Sequence, residues 1–376
     1  MPSSRRDQPR LSVVVPVFNV KPYVADCLDS ILGQDVEALE IIVVDDGSTD
    51  GSAALIADYA SRHSHVCVIT TPHRSLSAAR NTGARAAVGD YLAFADSDDL
   101  VLPGAYQLML STLEQSGSDF AVGSMQRNFP GGNRQPAAIA AVHTRRRLHV
   151  TLRQFPGMLR DIFAWNKVFR RSAWQRLQLS YPEGVRYEDQ PTLTRAYLAG
   201  ATFDVLRKPV YLWRIREDGT SITQQRHLVD DLRDRLETKL MTSDLIDREG
   251  WPEVRRLWYG ELLWTGLPLY FREIPGCDDT YWQVLREGLR ALQEGRPKLS
   301  ASSLSAPNRL IAWLVEHDLR AEAERVLAFV DERSGAFEIE TRGVRRLARL
   351  PLLDDPSIGV PVEVYVVRSP AGGHPV

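Results

Sequence analysis

Cysteine is scarce in this chain of 376 residues: Cys27, Cys67 and Cys277 are odd in number, far apart and without a CxxC pair. That counts against a disulfide framework or a thiolate metal site and fits a reducing, cytoplasmic setting. Long hydrophobic runs are missing too, since no stretch approaches the ~20 apolar residues of a membrane span. The basic opening MPSSRRDQPR leads into a short apolar run that holds Pro16 and breaks at Asn19 and Lys21, unlike a signal peptide. Neither sign of charge dominates. The chain has 46 basic and 48 acidic side chains and a net charge of −2, so the broad positive field of a nucleic-acid binder is excluded. The basic tail and the run Arg145, Arg146, Arg147 read as solvated charge, with peripheral contact to an anionic membrane face as the alternative. No HExxH pair, GxGxxG or P-loop glycine pattern occurs, which argues against zinc, dinucleotide and P-loop chemistry.

What is present from Leu11 to Phe94 is an alternation of short β-branched runs and longer helical ones. LSVVVPVF, EIIVVDD, VCVITT and YLAFAD read as strands; PYVADCLDSILGQ, SAALIADYASR and LSAARNTGARAAV read as helices. Continuous Val/Ile runs in a βαβα order imply an α/β fold whose mostly parallel central sheet is covered on both faces. Further on, GAYQLMLSTLEQSG predicts a helix, DFAVGSM and PVYLWRI strands, and NFPGGNRQP a loop. Residues 1–10 form a tail, 11–225 an α/β domain, 226–335 a helical region and 336–376 a β-rich end. FEIE and VPVEVYVV are expected as strands, either a small β-region or the start of one whose remainder is missing. Trp258, Trp264, Tyr270, Phe271 and Trp282 are expected to form a second core.

In open α/β sheets ligands bind beyond the carboxyl ends of the strands, where this sequence concentrates its unusual residues. FADSDD places Asp96, Asp98 and Asp99 directly after a buried strand. Such carboxylates need hydrogen bonds, cations or a metal, and a hard divalent ion bridging to phosphate is an economical partner. Helix capping by Asp98 or Asp99 is the plainer alternative. VVDDGSTDG ends the second strand with Asp45 and Asp46 before a turn in which Thr49 or Asp50 can cap the next helix. Arg80 and Asn81 lie on the helix leading into the acidic strand, and Arg80 could serve as a fixed cation for phosphate.

PVFN, VVDDGSTDG, SLSAARNTGARAAVGDYLAFADSDD, WNKVFRR, YEDQ and YLWRIREDGTSIT occur in the order seen in family 2 glycosyltransferases of the GT-A fold, and the chain resembles that family over residues 10–222. The resemblance implies transfer of a sugar from a nucleotide-sugar donor, with uracil the commonest base. It implies that Pro16, Phe18 and Asn19 line the nucleotide pocket, with Ser77 and Ser97 beside it, and that Asp45 or Asp46 reads the base. Arg80 would hold the nucleotide, Asp96 would lie near the ribose, and Asp98 would ligate Mn2+ or Mg2+. Asp189 would be the general base, with Glu188 beside it; capping of a proline-started helix is the less favoured alternative, and one residue can do both. Trp165 and Asn166 would lie on the acceptor side. Lys167 belongs to the same strip and would also touch the nucleotide sugar, while Arg214, Arg216 and Ser221 would close over the phosphates. His73 and Ser75 stand where the family commonly has Asn and Gly, so contacts from that loop depart from the pattern; Trp174 is expected in the core.

Inverting chemistry needs a stabilised leaving diphosphate on one side and a base for the acceptor hydroxyl on the other, which accounts for two separated acidic sites. A sugar-phosphate nucleotidyltransferase is the alternative enzyme, but PVFNVKPY lacks a glycine-rich triphosphate loop. A non-catalytic nucleotide-sugar-binding scaffold is the third. The helical and β-rich end weakly resembles wall teichoic acid glycosyltransferases in layout. It implies a glycan or polyol-phosphate polymer acceptor, self-association through the C-terminal region, and a place at the inner face of the membrane.

Overall fold

In the computed structural model, residues 10–129, 131–216, 219, 221 and 224–368 are described. The chain divides into two compact units, Met1–Ser221 and Ile222–Val376.

The first unit runs β1 (Leu11–Val17), α1 (Lys21–Leu32), β2 (Leu39–Asp45), α2 (Ser52–Arg62), β3 (Val66–Thr70), α3 (Leu76–Ala86), β4 (Tyr91–Phe94), β5 (Leu100–Val101) and α4 (Ala105–Ser116). It continues with β6 (Phe120–Phe129), β7 (Gly132–Arg134), α5 (Ala137–Val142), β8 (Arg147–Val150), β9 (Lys167–Arg170), α6 (Arg171–Arg176), α7 (Asp189–Leu198) and β10 (Phe203–Trp213). The sheet order is β3-β2-β1-β4-β9-β6-β10-β5, with β7 paired to β6 and β8 to β10. The strands β3, β2, β1 and β4 are mutually parallel, as their βαβ connections require. Every residue of β1 is buried, the consequence of an apolar run covered on both faces.

Two details of this topology build the site. First, β9 inserts antiparallel between β4 and β6, pairing Val168 with Ala93 and Lys167 with Val122. The residues just before β9 therefore emerge beside the end of β4. Second, β10 pairs Leu212 with Leu100 and Tyr211 with Val101, which carries Arg214 and Arg216 to the acidic turn. Helix α3 lies close against β1: a Cβ on Gly83 would stand 2.3 Å from Val14 Cγ1. Ser77 and Arg80 share that inward stripe at three-residue spacing, so they are buried by the same close approach.

Three segments differ from the pattern-based expectation. NFPGGNRQP is not simply a loop: β6 runs on to Phe129 and pairs antiparallel with β7, Arg127 opposite Arg134 and Phe129 opposite Gly132. Gly131 and Gly132 hold the positive φ values of the reversal. VCVITT forms β3 at the sheet edge, with Cys67 and Val68 exposed rather than covered. VPVEVYVV is not a strand.

The second unit contains α8 (Val229–Glu249), α9 (Pro252–Gly260), α10 (Pro268–Phe271), α11 (Asp279–Gln293), α12 (Ala306–Glu316), α13 (Arg320–Glu332), the hairpin β11 (Ile339–Arg342) and β12 (Arg345–Ala348), and α14 (Val362–Tyr365). Trp258, Trp264, Tyr270, Phe271 and Trp282 are all buried. The alternation of VPVEVYVV is overridden because Pro361 starts a helical turn, and the neighbours Val364 and Tyr365 are both buried. Arg309 of α12 fixes this turn by donating to the carbonyls of Val364 and Val366.

Candidate functional site

The carboxyl ends of β2, β1 and β4 lie side by side because these strands are parallel neighbours. Asn19, at φ 49°, accepts a hydrogen bond from the Thr49 N–H at 2.8 Å, while its own N–H donates to Ser48 Oγ at 3.1 Å. Asp45 accepts from Ser48 N at 3.0 Å, and Asp50 accepts from Lys21 N and Ser52 N, both at 2.9 Å. Asn19, Asp45 and Asp50 thus shape the loop. Asp46 is buried and engaged by Thr71 Oγ1 at 2.9 Å, Arg74 N at 3.1 Å and His73 Nδ1 at 3.1 Å. What remains outward-facing is Phe18, 40% exposed, with the His73 ring stacked on it at 3.8 Å and 14°. Sequence pattern marked His73 only as a departure; its pairing with Phe18 and Asp46 depends on the loop between β3 and α3.

Arg80 has other surroundings than a phosphate cation would need. It is 1% exposed, and its guanidinium binds three carboxylates: Asp96 through Nη2 at 2.5 Å, Asp189 through Nη1 at 2.6 Å, and Glu188 through Nη1. Its Nε is buried with no hydrogen-bond partner. Tyr181 lies under the guanidinium, 5.3 Å from the ring centroid. One cation is shared among three acidic side chains, of which Glu188 is buried and Asp96 and Asp189 are partly buried. Burial pushes the Glu188 carboxyl up to about 8, against the pull of Arg80 and helped by Asp189. Burial likewise raises Asp189, with Arg80 opposing. Asp189 opens α7, and its other oxygen, Oδ2, accepts from the Ala164 N–H at 3.1 Å.

At the acidic turn, Asp98 Oδ2 receives Arg216 Nε at 2.7 Å, and Asp99 Oδ1 receives the Arg214 N–H at 2.7 Å. Arg214 also donates to the Asp98 carbonyl and, at 2.8 Å, to Asp26. Asp99 is fully covered, and burial together with Asp98 and Asp96 holds its carboxyl well above the usual range, so it braces the turn. No group of three or more potential metal ligands occurs among the described residues. Asp96 and Asp98 nevertheless keep exposed edges of 24% and 18%, and their Oδ2 and Oδ1 atoms, respectively, receive no hydrogen bond from described residues. Two such oxygens at one strand end suit a hard divalent cation that completes its shell with water and phosphate.

The family whose sequence model matches this chain is glycosyl transferase family 2, over residues 12–177. Residues 12–177 of this protein thus match a family 2 glycosyltransferase domain. An uncharacterised glycosyltransferase, EpsJ of Bacillus subtilis (strain 168), is 31% identical over 220 residues, covering 57% of this chain and 63% of that protein. The chain thus spans a little under two thirds of that relative's length. Among solved structures, residues 1–349 of S. aureus TarS in complex with UDP-GlcNAc align with TM-score 0.61 at 18% identity, covering 96% of this chain and 99% of the other. A mannosyltransferase from Pyrobaculum calidifontis in complex with GDP-Man and Mn2+ aligns with TM-score 0.52 at 20% identity, covering 88% of each. The likeness shows a GT-A fold.

Within the glycosyltransferase domain, several side chains expected at the ligand surface are covered. Pro16 is buried within β1, opposite Val44. Ser77 is buried on α3, its Oγ 3.5 Å from the Val185 carbonyl, and Ser97 is buried in the turn. Trp165 is 5% exposed and stacks on Tyr211 at 4.3 Å, while Trp174 packs in the core against Phe94 at 5.1 Å. Ser221, partly buried, is the last residue of the first unit. Asn166 and Lys167 point inward, because β9 sits mid-sheet and Lys167 is already paired with Val122. Lys167 Nζ donates to Asp161 Oδ1 at 2.6 Å, the Phe163 carbonyl at 2.7 Å and Asn166 Oδ1 at 2.9 Å. His143 places Nε2 2.8 Å from Asp161 Oδ2 and Nδ1 2.7 Å from the Leu206 carbonyl. Asp161 and His143, missed in the sequence, complete this cluster; neither carries a local motif.

Proposed function

We propose that this protein is an inverting glycosyltransferase that moves a sugar from a nucleoside-diphosphate donor, of the UDP class, to a hydroxyl of a glycan or polyol-phosphate polymer. The observation that carries the reading is the Arg80 guanidinium, which joins the donor-side acid Asp96 to the acceptor-side acid Asp189 on its two ends. Two carboxylates with different tasks are held at one place, as single displacement requires. Asp189, raised by burial, is suited to accept the proton of the attacking hydroxyl, which attacks opposite the leaving diphosphate. Asp98, with Asp96 beside it, would hold Mn2+ or Mg2+, which when bound supplies positive charge for the departing diphosphate. Arg216, 2.7 Å from Asp98, would meet the same phosphates. Phe18 and His73 offer the nucleobase an aromatic surface.

Donor complexes of the two fold neighbours, one holding UDP-GlcNAc and one GDP-Man with Mn2+, support the donor class and metal. Among the described residues no helix is long and apolar enough to cross a membrane. The reading places the enzyme peripherally at the inner face of the membrane, with self-association through its C-terminal region. A thermal-shift and hydrolysis screen of UDP- and GDP-sugars with and without Mn2+ tests the activity. Release of nucleoside diphosphate dependent on Mn2+ is expected; no binding and no turnover with any donor would sink it.

A further inference from the structure

The segment 161–167 is fastened almost entirely from beneath. The Asp161 carboxylate receives Lys167 Nζ at 2.6 Å and Asn166 Nδ2 at 2.9 Å, and faces His143 Nε2 at 2.8 Å. The Asp161 carbonyl accepts from Tyr197 Oη at 3.1 Å, the Phe163 carbonyl accepts from Lys167, and Asn166 Nδ2 also reaches the Gly123 carbonyl at 2.9 Å. The side chains of Asp161, His143 and Lys167 have no exposed surface. Between these anchors the Ala164 N–H reaches the site, 3.1 Å from Asp189 Oδ2. Asp189 therefore has one fixed donor on each oxygen, Arg80 on Oδ1 and Ala164 on Oδ2.

Charge makes the same connection. Both ring nitrogens of His143 face oxygens of its surroundings, the Leu206 carbonyl and the Asp161 carboxylate, so the ring is held from both sides. The Lys167 ammonium, paired with Asp161, also favours the ionised form of Asp189. The neighbouring cluster shares one guanidinium among three acidic side chains.

We propose that Asp161, Lys167, Asn166 and His143 are positioning residues for the base: they hold the 161–167 segment so that Ala164 fixes Asp189, and Lys167 supplies a remote positive charge to it. None of the four touches substrate in this proposal, which rests on the glycosyltransferase reading above. The groups facing Asp189 are Arg80 from α3, Asp96 from the end of β4, Glu188 beside it, Tyr181 from the segment before α7, and Lys167 from β9. Lys167 is the cation among them with no contact to the donor-side acids.

The test is Lys167→Met in the full chain, with Mn2+ and UDP-GlcNAc, UDP-glucose and GDP-mannose as donors, following released nucleoside diphosphate and measuring donor affinity by calorimetry. Loosening the base is expected to lower kcat about 10- to 100-fold, the scale of small misplacements, while donor affinity holds. Loss of a nearby positive charge should also move the acid limb of the kcat profile to higher pH. An unchanged kcat and pH profile in a folded, donor-binding variant would overturn the proposal. So would weaker donor binding at unchanged kcat, which would return Lys167 to a direct donor contact. If Lys167→Met does not fold, His143→Gln leaves Asp161 two partners and should shift kcat the same way by less; no effect there would overturn it equally. A parent chain that neither binds nor turns over any of these donors would instead remove the underlying reading.

Discussion

Asp161 and Asp189 are both aspartates of the first unit, linked through the 161–164 backbone and the Ala164 N–H that reaches Asp189, yet their surroundings drive them in opposite directions. At Asp161 burial would raise the carboxyl, but Lys167 and His143 outweigh it and hold it down at about 2. At Asp189 burial also raises it, and the single guanidinium that could oppose this is shared with Asp96 and Glu188. The number of cations per carboxylate decides the outcome, not depth alone. Asp161 stays ionised and structural; Asp189 is left able to take a proton.

The comparison breaks most severely at Asp189 itself. Asp189→Asn should cut turnover by about 10²- to 10⁴-fold, the usual contribution of a positioned base, with donor affinity by calorimetry unchanged. Turnover at the parent rate would move the base elsewhere. Arg80→Met removes the shared cation from buried Glu188 and partly buried Asp96 and Asp189, and should destabilise the chain by about 3–5 kcal/mol. Urea unfolding at pH 8 and pH 5 checks this, with part of the loss recovered at the lower pH as the acids take up protons.

The two clusters should also answer pH with opposite signs. Glu188 binds its proton more tightly folded than unfolded, so its contribution to stability is complete below its usual value of ~4.3 and is lost as pH rises towards about 8. Asp161 is the reverse: its contribution is present above ~3.9 and lost as pH falls through about 2. Melting curves across this range should flatten at the alkaline end in Glu188→Gln, and an unchanged slope would assign the effect to another acid. The smallest expected effect is at the edge of the site. His73→Ala should weaken UDP binding by about threefold to tenfold, as the loss of one stacked ring does, with little change in melting temperature. Tighter binding would mean that the ring occupies the base's place on Phe18.

Local pattern carried the strands of the first unit and the acids at their ends, because βαβ alternation has a period that can be read and β1, β2 and β4 end where their hydrophobic runs end. It singled out Asp189 through the contiguous YEDQ, and the structure sets that residue beside Arg80. It misjudged VPVEVYVV, where burial of two adjacent residues of α14, Val364 and Tyr365, outweighs alternation, and it could not tell that Lys167 and Ser77 face inward.

The sequence by itself determined the fold class, the family and the presence of two acidic groups. Those properties reside in short, contiguous stretches whose spacing is set by element geometry. Only the tertiary structure decided that Arg80 ties three acidic side chains together and that Asp161, His143 and Lys167 meet in one buried cluster. These roles depend on charge balance among side chains up to 109 positions apart in the chain, and burial and neighbouring charge are properties of the assembled chain.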